Sequence, residues 1–260
     1  MQIPQNLFPG PRVPVASRGY SLSKGKHSYP FEIRFPVLSA CPESLPGIHH
    51  VTTSLPPSFQ LQGPNQSGNV NVHYWLELQV RRPGALHRDG LLEQKITFIP
   101  LDPALPPPML SPSVCKRQGA HVALEATLPS PSVLFLGSVV PLRLFVRRPR
   151  LTGDVTAIFL RTLAISVRTE TTVTAGAHAT TWRSTRDITS VTGLELPIGE
   201  TGEEPMEIPS EMWSGAAVSD LTPSFTTCTI RHQHALAVSV GFDCGDTGAI
   251  EVRRRQIECC

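Results

Sequence analysis

Leu55-Pro56-Pro57-Ser58-Phe59 and Leu221-Thr222-Pro223-Ser224-Phe225 read alike although they lie far apart in the chain. Proline fixes its own φ and pushes the residue before it toward extended backbone, so each segment is a stiff lead-in to a strand. Phe59 and Phe225 then stand where a lead-in can be anchored in a core. An alternating run follows each one, Tyr74–Val80 in the first case and His234–Val240 in the second. The same turn-and-strand signature at two distant positions predicts two related β-domains in tandem.

The alternation is clearest after the first copy. Val70, Val72, Tyr74, Leu76, Leu78 and Val80 share one parity, and Asn69, Asn71, His73, Glu77, Gln79 and Arg81 the other. That is the period of a strand with one wet face, and Trp75 alone breaks it. After the second copy, Cys228, Ile230, His232, His234, Leu236, Val238, Val240 and Phe242 fall on one face.

The chain has 260 residues, room for one large or two ordinary domains. Its 26 prolines are scattered through nearly every segment and break helices, while Val, Ile, Leu, Thr and Phe fill the runs between them. No amphipathic helix of three turns is visible, and the fold class expected is all-β. The net charge of +2 divides unevenly. Residues 1–117 hold 11 Lys/Arg against 6 Asp/Glu, and residues 118–260 hold 12 against 15. A mildly basic first half suits phosphorylated tails or acidic lipids, although ordinary surface variation explains it as well. No nucleic-acid partner is expected.

The opening Met1-Gln2-Ile3-Pro4-Gln5-Asn6 has neither the basic start nor the apolar run of a signal peptide. The longest apolar stretch, Val133 to Leu144, is about half a membrane span and contains Gly137, Pro141 and Arg143. No transmembrane segment is expected, and the location expected is cytoplasmic, peripheral at plasma or endosomal membranes. The 6 cysteines, Cys41, Cys115, Cys228, Cys244, Cys259 and Cys260, have neither metal-knuckle spacing nor the density of a disulfide framework. They fit reduced thiols.

Along the chain, residues 1–20 read as a loose tail. Phe31, Ile33 and Phe35 alternate with Glu32 and Arg34 between Pro30 and Pro36, the pattern of a short strand with punctuated ends. Ile96–Ile99 reads as another strand, and residues 101–118 as a proline-rich linker. A first unit over 21–100 and a second over 119–260 result. In the second, Val122, Leu124, Ala126 and Leu128 alternate, as do Val140, Leu142, Leu144 and Val146. Between Val155 and Val173 the parity switches, Ile158 and Leu160 giving way to Leu163, Ile165 and Val167, which predicts a bulge or a break. Glu195, Glu200, Glu203, Glu204 and Glu207 make residues 193–213 read as a solvated loop. Ile250-Glu251-Val252 reads as the start of a last strand. Short strands with turn signals between them predict a β-sandwich in each half.

Leu22, Gly25, His27, Tyr29-Pro30-Phe31, Phe35-Pro36, the Leu55–Phe59 segment and the Tyr74–Arg81 strand together resemble the amino-terminal domain of arrestin-like proteins, particularly fungal α-arrestin relatives. Gly137-Ser138-Val139-Val140-Pro141-Leu142 and Pro223-Ser224-Phe225 resemble the carboxy-terminal domain of that family. The resemblance implies two immunoglobulin-like sandwiches side by side, no catalysis and no cofactor. It implies an adaptor that binds membrane-protein cargo and works with ubiquitin-ligase machinery in endocytosis. Two departures stand out. No Pro-Pro-x-Tyr or Leu-Pro-x-Tyr segment is present to dock a WW groove, since Tyr20, Tyr29 and Tyr74 are not so preceded. Measured from the paired signatures, the first unit also starts late. It is expected to lack its opening strands and to leave an exposed edge and an uncovered apolar face. A truncated or decayed paralogue without adaptor activity is the alternative.

The chemical candidates are few. Lys24, Lys26, Arg81 and Arg82 are the basic residues nearest the family-like motifs, and a phosphate-reading role would use charge-assisted contacts there. Cys228, His232 and His234 share a strand face on which side chains could converge on a metal. Ile230, Leu236 and Val238 on the same face favour a core margin instead, and no metal site is expected. No Gly-x-Ser-x-Gly elbow, His-Glu-x-x-His pair or phosphate-binding glycine loop is present. A metal-dependent enzyme on a β-sandwich would rest on fold analogy alone. Arg253-Arg254-Arg255 before Cys259-Cys260 resembles the twin-cysteine tail of doubly prenylated small GTPases. Without a GTPase domain to be recognised, the plainer expectation is a final strand.

Overall fold

The computed structural model describes residues 24–28, 30–36, 38–39, 52–63, 68–80, 90–100, 109–118, 122–130, 134–148, 157–199, 204–244 and 253–259. These residues build several antiparallel sheets. Their one helical element is a 3-10 turn at Ser210–Trp213. Contacts divide the chain into a first unit of Met1–Leu101 with Thr172–Thr180 and Phe225–Arg231, and a second unit made of the rest.

Among the described residues the first unit holds three two-stranded ribbons. β1 (Leu38–Ser39) pairs with β2 (Thr53–Ser54), β3 (Phe59–Gln62) with β4 (Asn69–Val72), and β5 (Tyr74–Val80) with β6 (Gly90–Ile96). The long alternation expected from Val70 to Val80 is therefore two strands, divided at His73, each with its own partner. Gly68 lies at φ 146 in the β3–β4 connection, a backbone region that L side chains rarely adopt. The alternating segment Phe31–Phe35 forms no strand, and Phe31 is 75% exposed. Period-two alternation needs a partner to become a strand. Arg34 Nε and Glu32 Oε1 form a local ion pair there at 2.9 Å. The strand expected at Ile96–Ile99 lies earlier, ending at Ile96.

Among the described residues, two larger sheets lie wholly or mainly in the second unit. One runs β12–β9–β8–β7, with β7 (Met109–Gln118), β8 (Ala123–Ser130), β9 (Arg143–Arg147) and β12 (Met206–Ile208). The other contains β10 (Ile158–Ala175), β11 (His178–Ile198) and β14 (Ile230–Cys244) in the order β11–β10–β14. Both β13 (Phe225–Thr226) and β15 (Arg253–Cys259) pair with β14. The chain passes between the units within β10, β11 and β14.

Alternating side chains of both sheets join one buried cluster: Leu124, Ala126 and Leu128 of β8, Leu144 and Val146 of β9, Leu163, Ile165 and Val167 of β10, and Leu236, Val238 and Val240 of β14. Burying one such aliphatic side chain contributes about 1.5–3 kcal/mol, which makes this cluster the main stabilising feature of the unit. Trp213, carried in by the 3-10 turn, is 2% exposed and closes its margin. Gly137 allows the approach to β9, with φ at 78 and its amide donating to the Val218 carbonyl at 2.6 Å.

The parity switch in β10 occurs inside one unbroken strand. Ile158 and Leu160 are buried, Arg161 and Thr162 are both half-buried, and burial resumes at Leu163, as it does around an inserted residue. Two expectations fail, and the final strand expected near the end of the chain is found. Met109–Gln118, expected within a linker, is β7 and pairs with β8 through a register shift between Met109 and Ser113. The solvated loop expected over 193–213 is in part strand, because β11 continues to Ile198 and β12 follows at Met206. The Arg253–Cys259 segment is a paired strand, with Phe242 opposite Arg253 and Leu236 opposite Cys259. The tail expected over 1–20 lies outside the described residues.

Candidate functional site

The first proline signature is built into the first unit by backbone bonds. Leu55, Pro56 and Pro57 are buried. The Ser58 amide donates to the Phe98 carbonyl at 2.7 Å, and the Phe98 amide donates to Ser58 Oγ at 2.8 Å. Tyr74 Oη donates to the Pro56 carbonyl at 2.6 Å. Burial pushes the Tyr74 phenol up to about 12, since the phenolate would lose its water. Its ring packs at 4.9 Å from Phe98, which stacks on Phe35 at 4.8 Å. The phenylalanines of the two signatures meet edge to face: Phe59 and Phe225 lie 5.2 Å apart, 6% and 9% exposed. The motif that decided the sequence reading is thus an aromatic anchor.

From this anchor the β5–β6 ribbon projects apolar side chains into solvent. The register sets Leu78 opposite Leu92 and Val80 opposite Gly90 on one face, and Trp75 opposite Lys95 and Gln79 opposite Leu91 on the other. Leu78 is 58% exposed, Leu92 63%, Leu91 60% and Trp75 51%. An isolated two-stranded ribbon is marginal in water, and this one exposes apolar groups on both faces. Glu77 stands directly opposite Glu93, a like-charge pairing that weakens the ribbon further. The parity of Leu76, Leu78 and Val80 signalled one of these faces. The Leu91–Leu92 contribution was missed because β6, Gly-Leu-Leu-Glu-Gln-Lys-Ile, does not alternate.

Of the basic residues singled out from sequence, Lys24 and Lys26 are exposed. Arg81 and Arg82 lie outside the described residues.

His232 and His234 form the other candidate. Their rings meet edge to face at 4.8 Å on the inner face of β14. His234 Nε2 lies 2.7 Å from the Thr222 carbonyl and must donate to it, so Nδ1 accepts from the Thr169 hydroxyl at 2.9 Å. His232 Nδ1 shares a 2.8 Å bond with the Thr171 hydroxyl. Burial, helped by the neighbouring His234, holds the His232 imidazole down at about 4. Cys228 is half-buried and is not in a disulfide. Among the described residues no group of three or more His, Cys, Asp or Glu side chains could hold a metal ion. The hydroxyl and carbonyl partners hold the rings at the margin of the core. A shallow cleft lined by Val167, Arg186, Ile188, Val218, Ser219 and Leu221 lies elsewhere in the second unit. No helix among the described residues is long and apolar enough to cross a membrane. Comparison with protein-family models and with curated proteins finds no match to the chain.

Proposed function

We propose that the protein is a non-catalytic, arrestin-like adaptor built on two immunoglobulin-like sandwiches. In this reading it binds membrane-protein cargo in endocytic trafficking or ubiquitin-linked turnover. The observation that carries the reading is the β5–β6 ribbon, with Trp75, Leu78, Leu91 and Leu92 turned to solvent beside a fixed aromatic anchor. Apolar groups of this kind on a paired ribbon suit a protein partner that covers them. Two sheets closed over one core in the second unit, and the Pro-Ser-Phe lead-in to β13, also support it. Lys24 and Lys26, exposed in the same unit, suit an acidic or phosphorylated segment of cargo.

The test is capture of detergent-solubilised transporters and ligase subunits by the full chain, compared with the Leu78→Asp/Leu92→Asp variant. Capture by the parent protein that falls several-fold in the variant is the expected result. No capture by soluble, folded protein would overturn the adaptor reading. It would leave a paralogue without adaptor activity, the reading that the same uncovered leucines otherwise favour.

A further inference from the structure

The edge of the larger sheet carries a pattern that its own fold does not use. Among the described strands β11 ends the sheet, paired with β10 on one side only. It is 21 residues long and mostly exposed, a strand edge with open pairing groups. Natural sheets block such edges with charge. Here the charges match when the strand meets itself.

Thr181-Trp182-Arg183-Ser184-Thr185-Arg186-Asp187-Ile188-Thr189 is self-complementary about Thr185. In an antiparallel pair of two copies centred there, Arg183 faces Asp187, Trp182 faces Ile188, Ser184 faces Arg186 and Thr181 faces Thr189. The pairs are an opposite charge, an aromatic on a β-branched residue, a small residue beside a long one, and two threonines. Three of the four are cross-strand combinations that stabilise sheets. Each occurs twice, as two-fold symmetry requires.

The side chains are placed to serve this register. Arg183 is 77% exposed and bonds to Glu170 of β10 through Nε at 2.7 Å, so the outer nitrogens of its guanidinium can reach an Asp187 from the other side. Asp187 is exposed. Ile188 packs at the margin of the core, and Trp182 on the same strand parity is half-buried. A facing Trp182–Ile188 pair would therefore extend the covered apolar surface beyond the single chain. Arg186 reaches to the Ser219 carbonyl at 2.9 Å, and the register asks only that Ser184 lie opposite.

We propose that β11 is a homodimerisation edge, on which a second copy of this chain pairs antiparallel about Thr185 to make one continuous sheet across the two-fold axis. The paired length is nine residues, so the dimer is weak and concentration-dependent.

Sedimentation velocity on the full chain from ~5 to ~300 µM tests it. A monomer–dimer equilibrium is expected for the parent. Asp187→Arg sets Arg against Arg twice per dimer, and Arg183→Asp sets Asp against Asp. Each should weaken self-association by ~10-fold or more. An equimolar mixture of the two variants restores both opposite-charge pairs, and it should recover a heterodimer near parental affinity. That recovery cannot come from misfolding, nor from association through the apolar β5–β6 ribbon. A parent that stays monomeric to ~300 µM, a dimer indifferent to Asp187→Arg, or a mixture no more dimeric than its components would each overturn the proposal.

Discussion

His232 is 5% exposed, and its fold keeps the ring neutral. The ring faces His234, the Thr171 hydroxyl and the Thr222 backbone, while Arg231 and Gln233 on β14 have the opposite parity. Its folded value of about 4 lies below the unfolded value near 6.5, so as pH falls the unfolded chain takes up the proton first. The stability that depends on the neutral ring is complete above pH 6.5 and is lost as pH falls from there to about 4. Allowing for solvent at the sheet margin, the loss by pH 5 should be roughly 1–2 kcal/mol. Urea unfolding at pH 7.5 and pH 5 measures it, and a His232→Gln variant should show a correspondingly smaller difference. Arg161 is a second decisive residue. It stands where the burial parity of β10 shifts and joins Asp243 at 3.2 Å to Glu195 at 3.1 Å, with its guanidinium 5.3 Å from the Phe159 ring centre. Asp243 is only 13% exposed, so Arg161→Met leaves a largely buried carboxylate without this cation. A destabilisation of about 1–3 kcal/mol is expected in denaturant melts, with Asp243→Asn in the same background recovering part of it. If Arg161→Met were neutral, the three-residue bridge would have no structural role.

Whether a strand can be read from sequence depends on whether one of its faces meets a core. β8, β9, β10 and β14 each bury alternate side chains in one cluster, and their period of two was legible, including the shift at Arg161–Thr162. β11 was not, because an edge strand wet on most of its length has no reason to alternate. β7 was hidden by Pro112, by the Pro106-Pro107-Pro108 run just before it and by the register shift between Met109 and Ser113. Phe31–Phe35 shows the converse error, alternation with no strand to pair with. The same logic explains the candidate site, half legible from the parity of Leu76, Leu78 and Val80 and half hidden in a β6 that does not alternate. The ribbon itself yields a test. Glu93→Gln removes the repulsion from Glu77 directly opposite, and should slow amide exchange across β5 and β6 by a factor of about 2, for a gain of ~0.5 kcal/mol. Leu78→Thr with Leu92→Thr should raise the solubility limit while leaving the second unit's melting unchanged, since neither side chain is in a core. A large fall in that melting temperature would mean that the two leucines are covered in solution.

At the scale of the molecule the apolar side chains are unevenly used. The second unit gathers Leu124, Leu144, Val146, Leu160, Leu163, Ile165, Val238 and Val240 into one cluster at 2% exposure or less. The first unit buries Leu55 and Phe59 but leaves Phe31, Leu78, Leu91 and Leu92 more than half exposed. Hydrophobic burial is the main force that opposes conformational entropy, so local opening should be far easier in the first unit. Hydrogen exchange followed by mass spectrometry should show this as a gradient. Peptides over β5 and β6 should exchange within seconds to minutes, and those over β8, β9 and the Leu163–Val167 part of β10 should be protected for hours. Phe59 and Phe225 supply the internal control. They are the buried pair that ties the two proline signatures together, so Phe59→Ala should accelerate exchange at β3 and at Phe225–Arg231 alike, by ~10-fold or more, and leave β8 unchanged. Acceleration at β3 alone would mean that the two phenylalanines pack without energetic coupling. The shared anchor would then be only a geometric coincidence of two similar lead-ins.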